Sequence, residues 1–466
     1  MDEQSQLKDH KQIGREQELF FTHDYAPGAP FWLPNGMVIF KELEKYIREL
    51  THAAGYQETS TPIMVKSQLF KESGHWTKFG KGFDEMYNLS VWEESEAEAV
   101  GKAMEKAETR DAIVKEIGKI ENRQPFLYPL IVDGQTADVY VLPTNTGDSF
   151  NYALPVNYSL KPMNCPESTI LYRFKTRSYK DLPIRLSEIG RLHRREKSGE
   201  VNGLLRVRQL TMDDAHIYAR EDQIFDEVSS ILDMMTKFYE SFGFSYEFRF
   251  ATRPETRAGT DEMWDKAEKD LEDVLKKRGI KAGDKKGDGA FYGPKIDLHI
   301  KDSLGREWQL ATVQLDFHQP EAFKLAYVDE EGKDVRPVMI HRAIFGSFER
   351  FIGILTEHTQ GAFPVWLSPV QVTILPIADR HYDYAQKVAE QIQEAGIRVV
   401  INNKHETLQA KIREATLQKV PFMGIIGDKE IAANAISVRL RTGEDQGSLE
   451  ISHFLQMVRE NIDKKK

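Results

Sequence analysis

The sequence lacks the marks of secreted, disulfide-rich proteins and of membrane-spanning chains. Its 466 residues include one cysteine, which excludes an internal disulfide and favours a reducing compartment. It has no run of about 18 apolar residues, so we predict no membrane span. The first segment, "MDEQSQLKDHKQIGREQELF", has no apolar core and predicts no secretion signal. We therefore expect a cytoplasmic protein that does not enter a membrane.

An excess of positive charge is also missing. The formal net charge is −10, whereas nucleic-acid-binding chains usually show a basic face. A local basic patch on an acidic chain stays compatible with this value. The sequence has neither a GxxxxGK[ST] nor a GxGxxG motif. A bound nucleotide would therefore have to be held by other groups, such as arginines.

The first three quarters of the chain predict an α+β domain. Apolar residues recur at helical spacing from Ile39 to Ala54, after the Pro/Gly-rich segment "APGAPFWLPNG". Residues 183–220 and later runs predict strands joined by hairpins and loops, which favours an antiparallel sheet. Residues 90–157 look like an insertion, helical in propensity over 92–122 and β-like afterwards.

The pattern changes near residue 364. Strand-like "VQVTILPI", "RVVI" and "FMGIIG" alternate with predicted helices over 381–395 and 406–417. This β-α-β-α-β order predicts a separate α/β domain with a largely parallel sheet. We therefore divide the chain into a domain over 1–363 and a second domain over 364–466.

The lone cysteine, Cys165, lies in "SLKPMNCPES". A single cysteine is most often a small buried hydrophobic residue. Two histidines offer an alternative: His216 in "TMDDAHIYA" and His341 in "VMIHRAIFGS". One thiolate and two imidazoles suit zinc, and three protein ligands leave an open coordination position, as in catalytic sites. The three residues are far apart in sequence, so their spacing leaves both interpretations open.

Arginines supply a second signal. The stretch "RLHRREKSGEVNGLLRVR" places Arg194 and Arg206 on either side of a turn, with Glu196 beside them. A solvated basic hairpin is the simpler interpretation. Guanidinium groups also suit phosphates, and a glutamate can accept a hydrogen bond from an adenine amino group. Arg350, in "GSFER", follows the predicted start of a helix, where the helix dipole favours a bound phosphate.

From about residue 8 to its end, the chain resembles the threonyl-tRNA synthetases, which are class II aminoacyl-tRNA synthetases. The motifs "KPMNCP", "DDAHI", "FYGPKID", "TVQLDF", "IHRAIFGSFERFIGIL" and "GDKE" together carry the resemblance. It implies an antiparallel sheet of six or more strands flanked by helices, then an α/β anticodon-binding domain. The segment through Pro62 looks like motif 1 of the class, residues 185–216 like motif 2, and 339–355 like motif 3.

The resemblance also implies a role for each matching residue. The zinc ligands would be Cys165, His216 and His341, with one zinc per subunit. Arg194, Glu196, Arg206, Gln309 and Arg350 would bind ATP, with Arg194 and Arg350 also catalytic. The threonine pocket would include Met163, Asp214, Tyr292, Lys295, Gln314 and Ser347. His75 would take part in transfer to tRNA, and Glu430 and Arg439 would contact the anticodon.

The implied activity is that of a threonine–tRNA ligase. It would use ATP with Mg²⁺ to form threonyl-adenylate and charge tRNA-Thr, while zinc accepts the amino and hydroxyl groups of threonine. A homodimer is implied by motif 1. The chain resembles a form without N-terminal editing domains, so we expect correction of seryl-tRNA by a separate trans-editing protein or by a longer natural chain.

Two alternatives stay open at this point. A synthetase-like paralogue could bind an amino acid or tRNA and regulate without charging. A different amino-acid specificity on the same scaffold is also compatible with the sequence, because Leu210, Met212 and Leu310 depart from residues that are common in relatives.

Overall fold

The computed structural model describes residues 7–78, 86–89, 94–119, 126–132, 135–143, 150–153, 158–197, 199–303 and 305–465. The helices are α1 (His10–Glu16), α2 (Pro34–Ala53), α3 (Gln68–Glu72), α4 (His75–Lys78), α5 (Glu94–Glu105), α6 (Ala107–Ile117), α7 (Cys165–Arg173), α8 (Ile224–Glu240), α9 (Asp261–Lys277), α10 (His318–Ala322), α11 (Phe348–Thr359), α12 (Tyr382–Glu394), α13 (Leu408–Leu417), α14 (Asp428–Ala433) and α15 (Ile451–Asp463). Within the described ranges, no helix combines the length and the apolar composition that a membrane span requires.

The strands are β1 (Phe20–Phe21), β2 (Phe31–Trp32), β3 (Gln57–Glu58), β4 (Met64–Lys66), β5 (Asn88–Leu89), β6 (Phe126–Val132), β7 (Gln135–Pro143), β8 (Phe150–Ala153), β9 (Tyr158–Leu160), β10 (Ile184–His193), β11 (Gln209–Ala219), β12 (Tyr246–Ala251), β13 (Gly283–Lys285), β14 (Lys295–Lys301), β15 (Glu307–Asp316), β16 (Tyr327–Val328), β17 (Asp334–Val335), β18 (Val338–Ser347), β19 (Val372–Pro376), β20 (Val399–Ile401), β21 (Phe422–Ile426), β22 (Ala435–Leu440) and β23 (Asp445–Glu450).

Internal contacts divide the chain into two compact units. The larger unit comprises Met1–Ser60, Arg173–Arg191 and Glu196–Lys466. The smaller unit comprises Thr61–Tyr172 and Leu192–Arg195.

An eight-stranded sheet organises the larger unit, as far as the described residues go. Its strand order is β13-β12-β14-β15-β18-β11-β10-β3. The strands from β12 through β14, β15 and β18 to β11 pair antiparallel, which confirms the predicted antiparallel-dominated sheet. A parallel pair closes each end of the sheet, β12 with β13 and β3 with β10. These two parallel pairs were not predicted.

Helices α8 and α11 pack on this sheet and form the hydrophobic core together with it. The apolar residues of α8 recur at helical spacing and pack on β18, and α11 packs on β11 and β18. Strand β18 is buried along nearly its whole length, so it shows no alternation of polar and apolar residues. Helix α2 begins at Pro34, earlier than the predicted start at Ile39. Proline is well tolerated in the first helical turn because the N–H group that it lacks would have no partner there.

A five-stranded sheet lies in the C-terminal part of the larger unit, in the order β20-β19-β21-β22-β23. The helices α12 and α13 and the three predicted strands are present, and β20, β19 and β21 pair parallel. The expectation of a largely parallel sheet is only partly correct, because β22 and β23 add antiparallel pairs. A short hairpin connects β22 to β23, and such a connection can join only antiparallel strands.

The smaller unit contains two three-stranded sheets. One has the order β4-β9-β5 and is fully antiparallel. The other, β6-β7-β8, is also antiparallel and packs with α5 and α6 around a core that includes Val100, Met104, Ile113 and Val139. The predicted change from helix to strand within 90–157 is therefore confirmed where the structure describes it. The other residues of this predicted insertion lie outside the described ranges.

Candidate active site

Four polar side chains form a row across the middle of the eight-stranded sheet. His216 on β11 lies opposite His341 on β18. Gln314 on β15 lies opposite His341 on one side and Lys295 of β14 on the other. Directly opposed residues of antiparallel strands project to the same face. One face of the sheet therefore presents two imidazoles, an amide and an ammonium group in line.

A second row lies two residues further along the strands. It includes Asp214, Thr312 and Asp297, which share the face of the first row because alternate residues of a strand do so. Lys295 Nζ lies 2.7 Å from the buried carboxylate of Asp297, and Gln314 donates its amide to Thr312 at 3.2 Å. Asp214 lies 3.9 Å from His216 Nε2. The two rows thus interact through short side-chain contacts.

His341 is held from two directions. Its Nε2 lies 2.9 Å from the Asp316 carboxylate, which also accepts the backbone N–H groups of His318 and Gln319. The ring of Tyr292 stacks on the imidazole, with centroids 4.7 Å apart. A proton on Nε2, donated to Asp316, leaves the Nδ1 lone pair for a metal. Such outer carboxylates commonly fix the tautomer of ligating histidines.

The three predicted metal ligands are all buried. Cys165 begins α7 in the smaller unit, whereas His216 and His341 lie in the larger unit with their ring centroids 5.0 Å apart. A thiol and two imidazoles are the donors that zinc prefers, so the residues fit the metal that the sequence predicts. His75 is fully buried, and its Nε2 lies 3.3 Å from the Cys165 sulfur.

Two of the three predicted ATP-binding arginines, Arg194 and Arg206, lie in the loop between β10 and β11. Arg206 donates from Nε to the Glu196 carboxylate at 2.9 Å and also pairs with Glu200. The Glu196 carbonyl accepts from Arg208. In the smaller unit, Arg194 donates from Nε to the Pro162 carbonyl at 3.2 Å. The side chain of Arg206 is about half exposed (52%), so it can reach a ligand by exchanging one carboxylate partner for another anion.

Arg350 is a mostly buried cation at the start of α11. Burial lowers its pKa, and the nearby positive charge of Arg206 lowers it further. Its Nε has no hydrogen-bond partner among the described residues, and its guanidinium lies over the Trp308 ring. The Ser347 hydroxyl, predicted to line the threonine pocket, accepts the Arg350 N–H and caps the helix. An anion would relieve the repulsion between Arg350 and Arg206, and the helix N-terminus would add to its binding.

Of the two neighbouring aspartates of "DDAHI", the resemblance implied a role for Asp214 only. Asp213 sits at an irregularity of β11 and accepts the backbone N–H groups of Ile344 and Phe345, both at 2.8 Å. It also pairs with the fully buried Arg342. Burial raises the pKa of Asp213, although Arg342 opposes the shift. Asp213 therefore holds the strands together, whereas Asp214 faces the candidate site.

The structure also places the other predicted residues. Met163 precedes Cys165 by two positions in the smaller unit, and Gln309 lies on β15 opposite His299. Glu430 lies on α14, beside the C-terminal sheet, and its carboxylate accepts from the Gly427 N–H and the Ser437 hydroxyl, both at 2.9 Å. Arg439 lies on β22 of that sheet.

Asp316, Thr312 and Asp297 were missed as site residues. Asp316 is part of the motif "TVQLDF", but a single aspartate after a strand gives no sign that it contacts a histidine on the next strand. Thr312 and Asp297 can be identified as site residues only from the strand register. To predict these residues from the sequence, one would need to know how β14, β15 and β18 pair.

The comparisons with protein families agree with this architecture. Residues 152–359 match the family model described as "tRNA synthetase class II core domain (G, H, P, S and T)", and residues 371–461 match the model described as "Anticodon binding domain". The antiparallel sheet with its polar face, followed by the C-terminal α/β sheet, thus defines a class II tRNA synthetase core with an anticodon-binding domain.

Individual relatives show to which family within this class the chain belongs. A threonine–tRNA ligase of Thermotoga maritima is 42% identical over 461 residues, which cover 99% of this chain and 62% of that protein. One from Carboxydothermus hydrogenoformans is 40% identical over 464 residues, covering 100% of this chain and 63% of that protein. A solved structure described as the RNA binding domain of threonyl-tRNA synthetase from Cryptosporidium parvum Iowa II has a TM-score of 0.80 and 32% identity, and the match covers 97% of this chain and 98% of that one. The chain belongs to the threonyl-tRNA synthetase family, and it spans about three fifths of the length of these curated relatives.

Proposed function

We propose that the chain is a threonine–tRNA ligase, which activates threonine with ATP to threonyl-adenylate and transfers it to tRNA-Thr. The observation that carries this proposal is the polar row of the central sheet, in which His216 and His341, two of the three proposed zinc ligands, lie opposite each other. A regulatory paralogue would have no need of both a metal-binding set and the cationic pair of Arg206 and Arg350.

Zinc is the metal that we propose for Cys165, His216 and His341, one ion per subunit. Bound by three protein ligands, it would supply a Lewis-acidic centre with an open position for the amino and hydroxyl groups of threonine. Asp316 would hold His341 in the ligating tautomer through its contact with Nε2.

The polar rows would orient the amino acid. Asp214 is a partly exposed carboxylate that can pair with the ammonium group of threonine. Tyr292 donates its hydroxyl to Gln314 at 2.5 Å, which aims the Gln314 amide, and Lys295 and Met163 would complete the pocket. Valine has nearly the shape of threonine but lacks the hydroxyl. A site that hydrogen-bonds a substrate hydroxyl rejects such an analogue by about 10⁴–10⁵.

ATP would bind beside this pocket. The carboxylate of threonine attacks the α-phosphorus, the bond to the β-phosphate oxygen breaks, and pyrophosphate leaves. Arg194 would hold the α-phosphate, Arg206 and Arg350 the γ-phosphate, and Glu196 the adenine amino group, with Gln309 as a further contact. Mg²⁺ would accompany the triphosphate, because it neutralises charge that builds on the phosphates during transfer.

Transfer to tRNA would involve two domains of the chain. We propose residues 1–363 as the catalytic domain and 364–466 as the anticodon-binding domain, with Glu430 and Arg439 as anticodon contacts. His75 stays the candidate for assisting transfer, and its burial against Cys165 supports a place close to the amino acid.

Pyrophosphate exchange with a panel of amino acids tests the proposal. The chain should exchange label from pyrophosphate into ATP with threonine, only weakly with serine, and not with valine. Charging of a tRNA-Thr transcript should follow with threonine. Exchange that prefers another amino acid would show a different specificity, and no exchange with any amino acid would contradict a ligase function.

A further inference from the structure

His10, near the start of the described chain, connects two elements of the candidate ATP site. Its side chain is buried (1% exposed), and its Nδ1 lies 2.6 Å from the Glu357 carboxylate on α11. On the opposite side of the ring, Nε2 accepts the backbone N–H of Leu204 at 3.0 Å. Because Nε2 accepts a hydrogen bond, the ring proton must lie on Nδ1 and is donated to Glu357.

Leu204 belongs to a tight turn that carries Arg206. The N–H of Asn202 donates to the Arg206 carbonyl at 3.0 Å, and the N–H of Leu205 donates back to the Asn202 carbonyl at 2.9 Å. Leu204 is the fully buried residue of this turn, and its N–H points away from the turn to His10. The position of Arg206 is thereby linked to the ring of His10.

Gly203 shows that the fit between this turn and His10 is close. Its φ is +50°, and a Cβ at this position would lie 2.1 Å from His10 Nε2. Only a residue without a side chain allows the turn to approach the imidazole this closely. The contact is therefore built into the backbone path of the loop.

The Glu357 side of the contact leads to Arg350. Glu357 also pairs with Arg306, which shares the Asp302 carboxylate with the Trp308 indole N–H. The ring of Trp308 lies under the Arg350 guanidinium, 5.3 Å from its centroid. One chain of polar contacts thus starts at the turn before Arg206, passes through the partly exposed Arg306, and ends at the tryptophan beneath Arg350.

We propose that His10 is a positioning residue for ATP: it fixes the turn of residues 202–206, so that Arg206 and Glu196 are held at a set distance from Arg350. This inference rests on the proposed function, because it assumes that these groups bind ATP. His10 itself touches no reacting atom.

Two substitutions separate the two contacts of the ring. In His10→Asn, the side-chain amide can replace Nδ1 and donate to Glu357, but it offers no acceptor to Leu204. In His10→Gln, the terminal amide oxygen lies where Nε2 was and can accept the Leu204 N–H. His453→Asn changes an exposed histidine on α15 in the same way and is the control.

Pyrophosphate-exchange kinetics provide the first measurement. We expect His10→Asn to raise the KM for ATP about tenfold while the KM for threonine stays within twofold, and His10→Gln to recover most of the loss. Gly203→Ala, which pushes the turn away from the ring, should reproduce the effect of His10→Asn should that variant fold poorly. An unchanged KM for ATP in His10→Asn, or an equal rise in His10→Asn and His10→Gln, would overturn the proposal.

Hydrogen–deuterium exchange of the free chain provides the second, activity-independent measurement. The peptide covering residues 200–206 should exchange faster in His10→Asn than in the wild type, in His10→Gln or in His453→Asn. Unchanged protection in His10→Asn would overturn the positioning role. Failure of the wild type to exchange pyrophosphate with any amino acid would instead refute the proposed function, while leaving the contact between His10 and Leu204 supported by its own measurement.

Discussion

Several buried polar side chains of this protein already have hydrogen-bond partners within the fold. His341 offers one nitrogen to Asp316, and His10 offers one to Glu357 and one to Leu204. Arg350 differs, because burial and the charge of Arg206 both act against its positive charge. An anionic ligand therefore gains most binding energy from a charge such as that of Arg350, which has no counter-charge in the part of the chain that the structure describes.

Zinc content gives the most direct test at the residue scale. Purified wild-type protein should contain about one zinc per subunit, whereas Cys165→Ser and His216→Asn should contain much less, because a hydroxyl or a displaced amide binds zinc poorly. Metal analysis after gel filtration measures this. His453→Asn serves as the control and should keep its zinc. Full zinc occupancy in Cys165→Ser would refute the proposed ligand set.

Removal of a phosphate-binding arginine should abolish most activation. Charged hydrogen bonds contribute roughly 1.5–3 kcal/mol, so Arg350→Ala and Arg194→Ala should each lower kcat/KM for ATP in pyrophosphate exchange by at least about 10–100-fold. Arg459→Ala, on α15, is the matched control. Circular dichroism should show that the variants keep their fold. Near wild-type exchange in either variant would contradict its role.

The lowered pKa of Glu357 predicts that the free energy of unfolding depends on pH. Burial alone raises the pKa of Glu357, but hydrogen bonds from His10 and Arg306 outweigh it and lower the pKa to about 2. A carboxylate whose pKa is lowered on folding stabilises the protein above its unfolded pKa, and this contribution disappears as the pH falls from about 4.5 towards 2.

Glu357→Gln should therefore destabilise the chain by about 1.5–3 kcal/mol at pH 7, the usual contribution of charged hydrogen bonds. Thermal unfolding followed from pH 7 to pH 3 should show the difference from wild type shrinking at the acid end. The exposed Glu460→Gln on α15 should show little change at any pH. A difference that stays constant with pH would mean that the charge of Glu357 contributes nothing.

At the scale of whole elements, the sequence predicts helices and strands well and their pairing less well. The helices predicted over 381–395 and 406–417 are present as α12 and α13, and both pack on β19. The start of α2 was placed too late, since a proline at its first position resembled loop sequence. The antiparallel strands β22 and β23 were missed, because the alternation before them favoured a parallel sheet.

The residues of the candidate site also differ in how far the sequence could predict them. Cys165, His216 and His341 could be predicted as zinc ligands from motifs, and His216 and His341 lie opposite each other in the structure. Thr312 and Asp297 could not, because only the register of β14, β15 and β18 brings them beside Gln314 and Lys295. Register depends on the fit of buried faces over whole strands, and short sequence windows do not contain that information.

Helix α2 and the edge strand β3 form the segment that resembles the subunit interface of the family. Strand β3 pairs with β10 at one end of the eight-stranded sheet, so its other edge is the place where a second sheet can continue. We expect a homodimer with twofold symmetry. Multi-angle light scattering at micromolar concentration should give twice the mass of one chain, and a stable monomer there would refute the expectation.

At the scale of the whole molecule, discrimination against serine should be the weak point of activation. Serine offers the same amino and hydroxyl groups as threonine and lacks one methyl group, a difference of about 1–3 kcal/mol, or about 10–200-fold. The ratio of kcat/KM for threonine to that for serine in pyrophosphate exchange should fall in this range. Threonine preferred by 10⁴ or more would show an additional means of exclusion in this chain.

The polar row of His216, His341, Gln314 and Lys295 has a consequence for the assembly of the chain. Each member comes from a different strand, and His216 lies far in sequence from the other three. Contacts of such high sequence separation form late, because loop-closure entropy must be overcome first. A substrate that binds to the row therefore recognises only chains whose sheet is complete. Binding of the amino acid would protect newly made enzyme from proteolysis, and the protection would increase with the concentration of the amino acid. The supply of the amino acid would therefore also influence the lifetime of the protein that uses it.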